Sequence, residues 1–474
     1  MFAICKIFNP ASGGMPSFST TTRLFKAKER GRKEEKVKVK ERKKENEILQ
    51  ELFATAARLA PDSLFIAGLG TLLKEGRYKV IRKLDQGLRS NTFLVEDLQF
   101  SYVFLTMTLL CRLTFSISIS ELRPKYLAAK IFSADATKAN DYIQELQILL
   151  RVLEHQVGRP AQPLLPILCD HFAQPGLHGL HYFFLTRSFR TDVDAFRASA
   201  PTGKLGVHIV KPIVACTLEA LQRLHSHDII HTDIKANNLL FLGPSPAQTE
   251  EIMKRDPPLY NGVCTVNETI QVVLSGLGAA LCADLDKPSP PGNIRTFALR
   301  APENIVRVQC GKEVDIWAIG CMTYELLTGQ SLFRPLAIPS LTSDESLLLL
   351  QFAVTGETLS KDIIDQSPVR DRFFDPEGIF IHSKENIYPP RSIKKRLGKL
   401  CKDDLTKIQI NAAAKFINDC LRLNPHDRPT ADQLYMHPWL STAFSGGEDN
   451  EDQLANGNGN VRMPLLPMST VQEK

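Results

Sequence analysis

The sequence predicts one α+β domain, at about residues 73 to 440, inside a chain of 474 residues. Three observations carry that expectation. From Gly70 to Trp439 short apolar segments alternate with turns, a texture that stops on either side. Some of those segments have the period-two alternation of a strand, as in Tyr126-Leu127-Ala128-Ala129-Lys130-Ile131-Phe132. Others are spaced as one face of a helix, as with Ile209, Ile213, Cys216, Leu221 and Leu224. Hydrophobic residues at 43% and charged residues at 23% are ordinary for a globular protein and exclude a wholly disordered or fibrous chain.

The flanks read differently. Residues 1–72 form a basic extension whose run from Lys26 to Glu47 holds eleven Lys/Arg against six Glu, much of the net charge of +6. Opposite charges three or four apart make it a solvated helix or tail. It holds no aromatic residue on which bases could stack, so no direct nucleic-acid partner is expected. The first 25 residues lack acids and carry Lys6 and Arg23, a weak match to a mitochondrial presequence. Residues 441–474 are too polar to bury a core and are expected to be disordered. Ten cysteines without a CxxC pair argue for reduced thiols rather than zinc or disulfides. Phe100 to Ser120 is apolar, but seven Ser/Thr and a central Arg112 are poor for hydrocarbon. It reads as an unusual insert at about 99–124 between two strands that must pair, such as retained intron sequence, and no membrane span is expected.

The chemistry concentrates in His231-Thr232-Asp233-Ile234-Lys235-Ala236-Asn237-Asn238, between a helical stretch and the strand-like Leu239-Leu240-Phe241. HxDxKxxN places a carboxylate, an amine and a carboxamide on one tight loop. Phosphoryl transfer needs that set: an acceptor for a hydroxyl proton, a cation beside the phosphate and an oxygen for a metal. Upstream, Leu146, Leu149, Leu150 and Leu153 form an apolar stripe with Glu145 beside it. A carboxylate there is costly without a cation, and Lys130 is the natural partner.

With these residues in this order the chain resembles the eukaryotic protein kinases over about residues 73 to 440. Arg300-Ala301-Pro302-Glu303, Asp315-Ile316-Trp317-Ala318-Ile319-Gly320, Asp427-Arg428-Pro429 and His437-Pro438-Trp439-Leu440 match further landmarks. The resemblance implies a two-lobed fold, with a small, mainly antiparallel β lobe at 73–188 and a mostly helical lobe at 189–440. It implies Asp233 and Lys235 as catalytic residues, and Lys130, Glu145, Gly87, Ser90 and Ala128 around ATP. It also implies Asn238 as a Mg2+ ligand and Glu303, Asp315 and Arg428 as structural residues. The hinge falls near Leu185 to Phe189. Thr232 after the loop histidine, Ala298 to Glu303 and the insert after Phe333 are similar to the SR-protein kinase group. Its members phosphorylate Arg/Ser-rich splicing proteins in cytoplasm and nucleus. Acids at Asp362, Asp365, Asp371, Asp375 and Glu377 could dock a basic substrate or form a solvated face.

Two departures qualify the resemblance. The glycine-rich loop reads Asp85-Gln86-Gly87-Leu88-Arg89-Ser90, so only Gly87 and Ser90 fit, and Asp85 adds negative charge near a polyanion. After Val272-Val273-Leu274 the chain reads Ser275-Gly276-Leu277-Gly278, so Gly276 stands where the metal-binding aspartate belongs. Asp284 and Asp286 lie too far along to replace it. Its loss removes roughly several kcal/mol of transition-state stabilisation, on the order of a thousandfold in rate. Three readings stay open. One is a serine/threonine kinase with impaired activity and weakened Mg2+ binding, and another is a pseudokinase scaffold. The third is a gene product altered at the Gly276 codon.

Overall fold

In the computed structural model the described residues are 63–99, 125–156, 164–242, 270–282, 299–335, 340–383, 388 and 392–441. The basic extension before residue 63, Phe100–Ser120, Asp284, Asp286, Ala298 and the tail after residue 441 lie outside them.

Six strands form the upper sheet: β1 (Leu72–Leu73), β2 (Tyr78–Gln86), β3 (Ser90–Asp97), β4 (Tyr126–Phe132), β5 (Leu168–Gly176) and β6 (Gly179–Arg187). They pair antiparallel in the order β1-β2-β3-β4-β6-β5. Alternation along β4 sends Leu127, Ala129 and Ile131 into a core with Tyr78, Val80, Phe93, Val95, Phe183 and Leu185. It leaves Ala128 and Lys130 on the other face. Packing begins ahead of residue 73: Phe65 joins this core, and its carbonyl accepts a hydrogen bond from the Asn91 amide at 3.0 Å.

After β4 come α1 (Ala134–Lys138), capped by the Ser133 hydroxyl, and α2 (Tyr142–Gln156). The buried face of α2 differs from the expected stripe. Ile148, Leu149 and Val152 are buried, whereas Leu150 is 37% exposed. At 100° per residue, a face centred on Glu145 and Leu149 turns position 150 outward. Leu146 packs partly against the core, and the side chain of Leu153 lies outside the described ones.

The lower part follows in chain order: β7 (Phe189–Asp192), α3 (Val193–Ser199), α4 (Val207–His225), β8 (Ile229–Ile230), β9 (Leu239–Leu242), β10 (Val272–Leu274), β11 (Leu281–Cys282), α5 (Pro302–Ile305) and α6 (Glu313–Thr328). Then come α7 (Ser343–Thr355), α8 (Lys361–Gln366), α9 (Arg370–Phe373), α10 (Ile393–Leu400), α11 (Lys407–Cys420) and α12 (Ala431–Tyr435), with Pro438–Leu440 in a final 3-10 turn. The expected hinge spans the end of β6 and the start of β7. The expected strands at 239–241 and 272–274 are β9 and β10, which pair antiparallel in a three-stranded sheet with β7. The segment with Ile213, Cys216, Leu221 and Leu224 is α4, and all four are buried. One apolar core runs from Ile148 and Leu149 of α2 through α4, α6 and α11, so the two-lobed α+β architecture has a continuous apolar joint. Burial pushes the Cys216 thiol up to about 11 and that of Cys310 up to about 12, so neither carries much thiolate near neutrality.

The expected structural pair is buried in this core. Arg428 donates to both Glu303 carboxylate oxygens, at 2.6 and 2.8 Å, and to the carbonyls of Glu313 and Arg422. Its guanidinium also lies 5.1 Å from the Trp317 ring centre. A buried fork with its donors satisfied is tolerable, but half of one leaves a stranded charge. Arg428→Ala is therefore expected to cost about 3–5 kcal/mol in urea unfolding. A loss below about 1 kcal/mol, the range of exposed pairs, would contradict this.

Candidate active site

The loop from His231 to Asn238 leaves β8 under the control of Asp315, in the first turn of α6. The Asp315 carboxylate is 1% exposed. It accepts the backbone N–H groups of His231 at 2.8 Å and Thr232 at 2.7 Å, and lies 2.9 Å from His225 Nε2. A buried carboxylate needs such donors, and two backbone amides fix the path of the chain as well. Thr232 takes a left-handed φ of 66°, unusual for a β-branched residue. Its hydroxyl donates to the Ala279 carbonyl at 2.8 Å, tying the loop to the segment after β10.

His231 is buried, and its neighbours set its tautomer. Nδ1 accepts the Asp233 N–H at 3.3 Å, so the proton sits on Nε2 and points at the Ser275 carbonyl, 2.8 Å away. Next along the loop, the Asp233 carboxylate lies 2.7 Å from the Lys235 ammonium. The Asn238 amide donates to the Asp233 carbonyl at 2.7 Å and to its carboxylate at 3.1 Å. Carboxylate, amine and carboxamide therefore meet at one point, as the spacing suggested.

On the upper face, Lys130 donates to both oxygens of Glu145, at 2.7 and 2.6 Å. Glu145 is buried and Lys130 partly open, so the cation has one side toward the cleft. What joins the two constellations is Gly276-Leu277-Gly278. A Cβ on Gly278 would stand 2.8 Å from Glu145 Oε2 and 3.8 Å from Lys130 Nζ, while one on Gly276 would meet the Asn238 side chain. Two residues of chain reach at most about 7 Å, so the Lys130–Glu145 pair and the Asp233 loop border one cleft. Gln144 of α2 adds a hydrogen bond to the Ala280 carbonyl at 2.9 Å.

The loop between β2 and β3 is a tight turn closed by the Gly87 N–H on the Ser90 carbonyl at 2.8 Å. Arg89 at its tip pairs with Asp141 just ahead of α2, and the Arg89 carbonyl accepts the Ser133 N–H. Asp85 is exposed and stands opposite Thr92. Sequence reasoning missed the Arg89–Asp141 tie, the Thr232 bond to Ala279 and the close approach of Gly278. A glycine two positions after Gly276 was the only trace of the last.

The residues present fit phosphate groups better than a divalent metal. Lys130 and Lys235 offer cationic groups around the cleft. Gly276 offers no oxygen from a side chain, and Asn238 turns its nitrogen toward Asp233. Among the described residues no three His, Cys, Asp or Glu converge as a metal-holding group. Of the acids considered for docking, Asp365 pairs with Arg370 at 3.3 Å and Asp375 accepts the Ile379 N–H at 2.7 Å. Asp362, Asp371 and Glu377 are exposed. No described helix is long and apolar enough to cross a membrane.

Comparison with known proteins agrees with this geometry. The family described as protein kinase domain matches residues 119–440. A serine/threonine protein kinase of Aspergillus fumigatus is 23% identical over 373 residues, 77% of this chain and 84% of its own length. The serine/threonine-protein kinase SKY1 of Saccharomyces cerevisiae is 29% identical over 172 residues, 36% of this chain and 22% of its own. The probable serine/threonine-protein kinase dyrk2 of Dictyostelium discoideum is 25% identical over 241 residues, 49% of this chain and 22% of its own.

Burial gives the site a pH dependence. It holds the His231 imidazole below the ordinary value of 6.5, with the Asp315 charge pulling the other way. His181 and His437 are shifted in the same direction, also by burial. The unfolded chain therefore binds protons first on acidification. Stability from these rings is complete above about pH 6.5 and is lost as pH falls below it. The melting temperature is expected to be lower at about pH 5.5 than at about pH 7.5; an unchanged or higher value would contradict the neutral buried rings.

Proposed function

The chain belongs to the protein kinase domain family, and we propose that it is a serine/threonine protein kinase that transfers the γ-phosphoryl group of ATP slowly. The observation that carries this reading is the single cleft bordered by the Lys130–Glu145 pair and the Asp233 loop. The family uses ATP with a divalent metal, which neutralises charge on the phosphates. In this chain Lys130 holds nucleotide phosphates, and Glu145 fixes the Lys130 ammonium where it can reach them. Asp233 orients the substrate hydroxyl and accepts its proton. Lys235, 2.7 Å from that carboxylate, steadies the phosphoryl group in flight. Asn238 holds Asp233 in place through two hydrogen bonds.

The finer assignment is to the SR-protein kinase group, with Arg/Ser-rich protein substrates in cytoplasm and nucleus. It is supported by Thr232, by Leu299-Arg300-Ala301-Pro302-Glu303 and by the long insert after Phe333. The exposed Asp362, Asp371 and Glu377 suit a basic peptide. A second reading, a pseudokinase that works as a binding scaffold, is favoured by Gly276 and the Asn238 side chain lying against it.

Phosphotransfer to an Arg/Ser peptide tests these readings. Slow transfer is expected, lost in Asp233→Asn and not raised in Gly276→Asp, where the added Cβ would stand 2.5 Å from Asn238 Cγ at a left-handed φ. Turnover of the unmodified chain at about 1–100 per second, the ordinary kinase range, would overturn the role given to Gly276. Absence of transfer from the unmodified chain would favour the scaffold.

A further inference from the structure

We propose that this cleft binds a nucleoside triphosphate without the help of a divalent cation, because the Asn238 side chain fills the space from which a carboxylate at position 276 would project. The inference rests on the kinase reading, since it places the nucleotide between Lys130 and Asp233.

Gly276 is left-handed, with φ of +85°. A Cβ there would stand 2.5 Å from Asn238 Cγ, 2.6 Å from Nδ2 and 2.7 Å from Oδ1, closer than packed atoms approach. Asn238 is held against the glycine through its side chain and its backbone. The carboxamide nitrogen donates to the carbonyl and the carboxylate of Asp233. The backbone carbonyl of the same residue accepts the Ser275 N–H at 2.7 Å and the Ser275 hydroxyl at 3.0 Å. Asn238 is therefore not a ligand waiting beside an empty position. It packs into that position.

Magnesium demands near-octahedral oxygen geometry, and protein sites usually supply it with one or two carboxylates besides the substrate phosphates. Here the carboxylate of Asp233 is engaged by Lys235 and Asn238. Asn238 Oδ1 is a single neutral oxygen. Phosphate charge is met instead by fixed cations: the Lys130 and Lys235 ammonium groups. Each is already positioned by a carboxylate, Glu145 and Asp233 respectively. Affinity then comes from groups that are present whether or not a metal is.

Titration calorimetry of the full chain with ATP, once in excess EDTA and once in excess magnesium, tests this. The two dissociation constants are expected to agree within about threefold. Tightening by magnesium of about tenfold or more would overturn the inference and leave the kinase reading standing. Binding absent under both conditions would overturn both. Lys130→Met is expected to weaken metal-free binding by about tenfold or more; unchanged binding there would put the nucleotide elsewhere and overturn the inference.

Discussion

One buried carboxylate sets the geometry on which the rest of this molecule depends. Asp315 faces inward from the first turn of α6 and takes the amides of His231 and Thr232, with His225 closing its third side. Those bonds hold Thr232 in a left-handed conformation that costs on the order of 1–3 kcal/mol for a residue of its kind. From that constrained turn the Thr232 hydroxyl reaches Ala279, and the neutral His231 ring reaches Ser275. The segment so anchored runs through Gly276 and Gly278 to Glu145, and so to Lys130. Upper sheet and lower loop are thus registered through a short relay of hydrogen bonds and close backbone contacts. The apolar core beneath them supplies stability but would not choose this alignment by itself.

Much of the fold was legible because periodicity reports which face is buried. The alternation in β4 and the helical spacing in α4 both describe real burial. The Lys130–Glu145 pair was legible for an energetic reason: a carboxylate beside an apolar stripe calls for a cation, and β4 offered one. The α2 stripe shows where such reading stops. Leucines at 149 and 150 look equivalent in the sequence, yet only a known helix phase tells that one is buried and the other half open. Packing ahead of residue 73 was hidden in the same way, since Phe65 is one aromatic residue with no pattern around it.

The site was legible as a set of residues and less so as an arrangement. HxDxKxxN announces its charges, but not that Asn238 folds onto a glycine 38 positions later. Arg89 and Asp141 are both ordinary surface residues in the sequence, and only the docking of the β2–β3 turn on Ser133, just after β4, brings them together. Close approach of a side chain to the backbone leaves a single trace, the glycine itself. Gly276 was read as a loss, the absence of a metal-binding carboxylate. The structure shows what takes that space: the carboxamide of Asn238, expected as a Mg2+ ligand and bonded to Asp233.

In the proposed function Lys130, from the upper sheet, and Lys235, from the lower loop, face the same nucleotide. Affinity labelling with an acyl-phosphate derivative of ATP, followed by peptide mapping, measures this directly, because the reagent acylates the amines nearest its phosphates. Modification of Lys130 and Lys235, suppressed by free ATP, is expected. Modification spread over surface lysines and indifferent to ATP would contradict it.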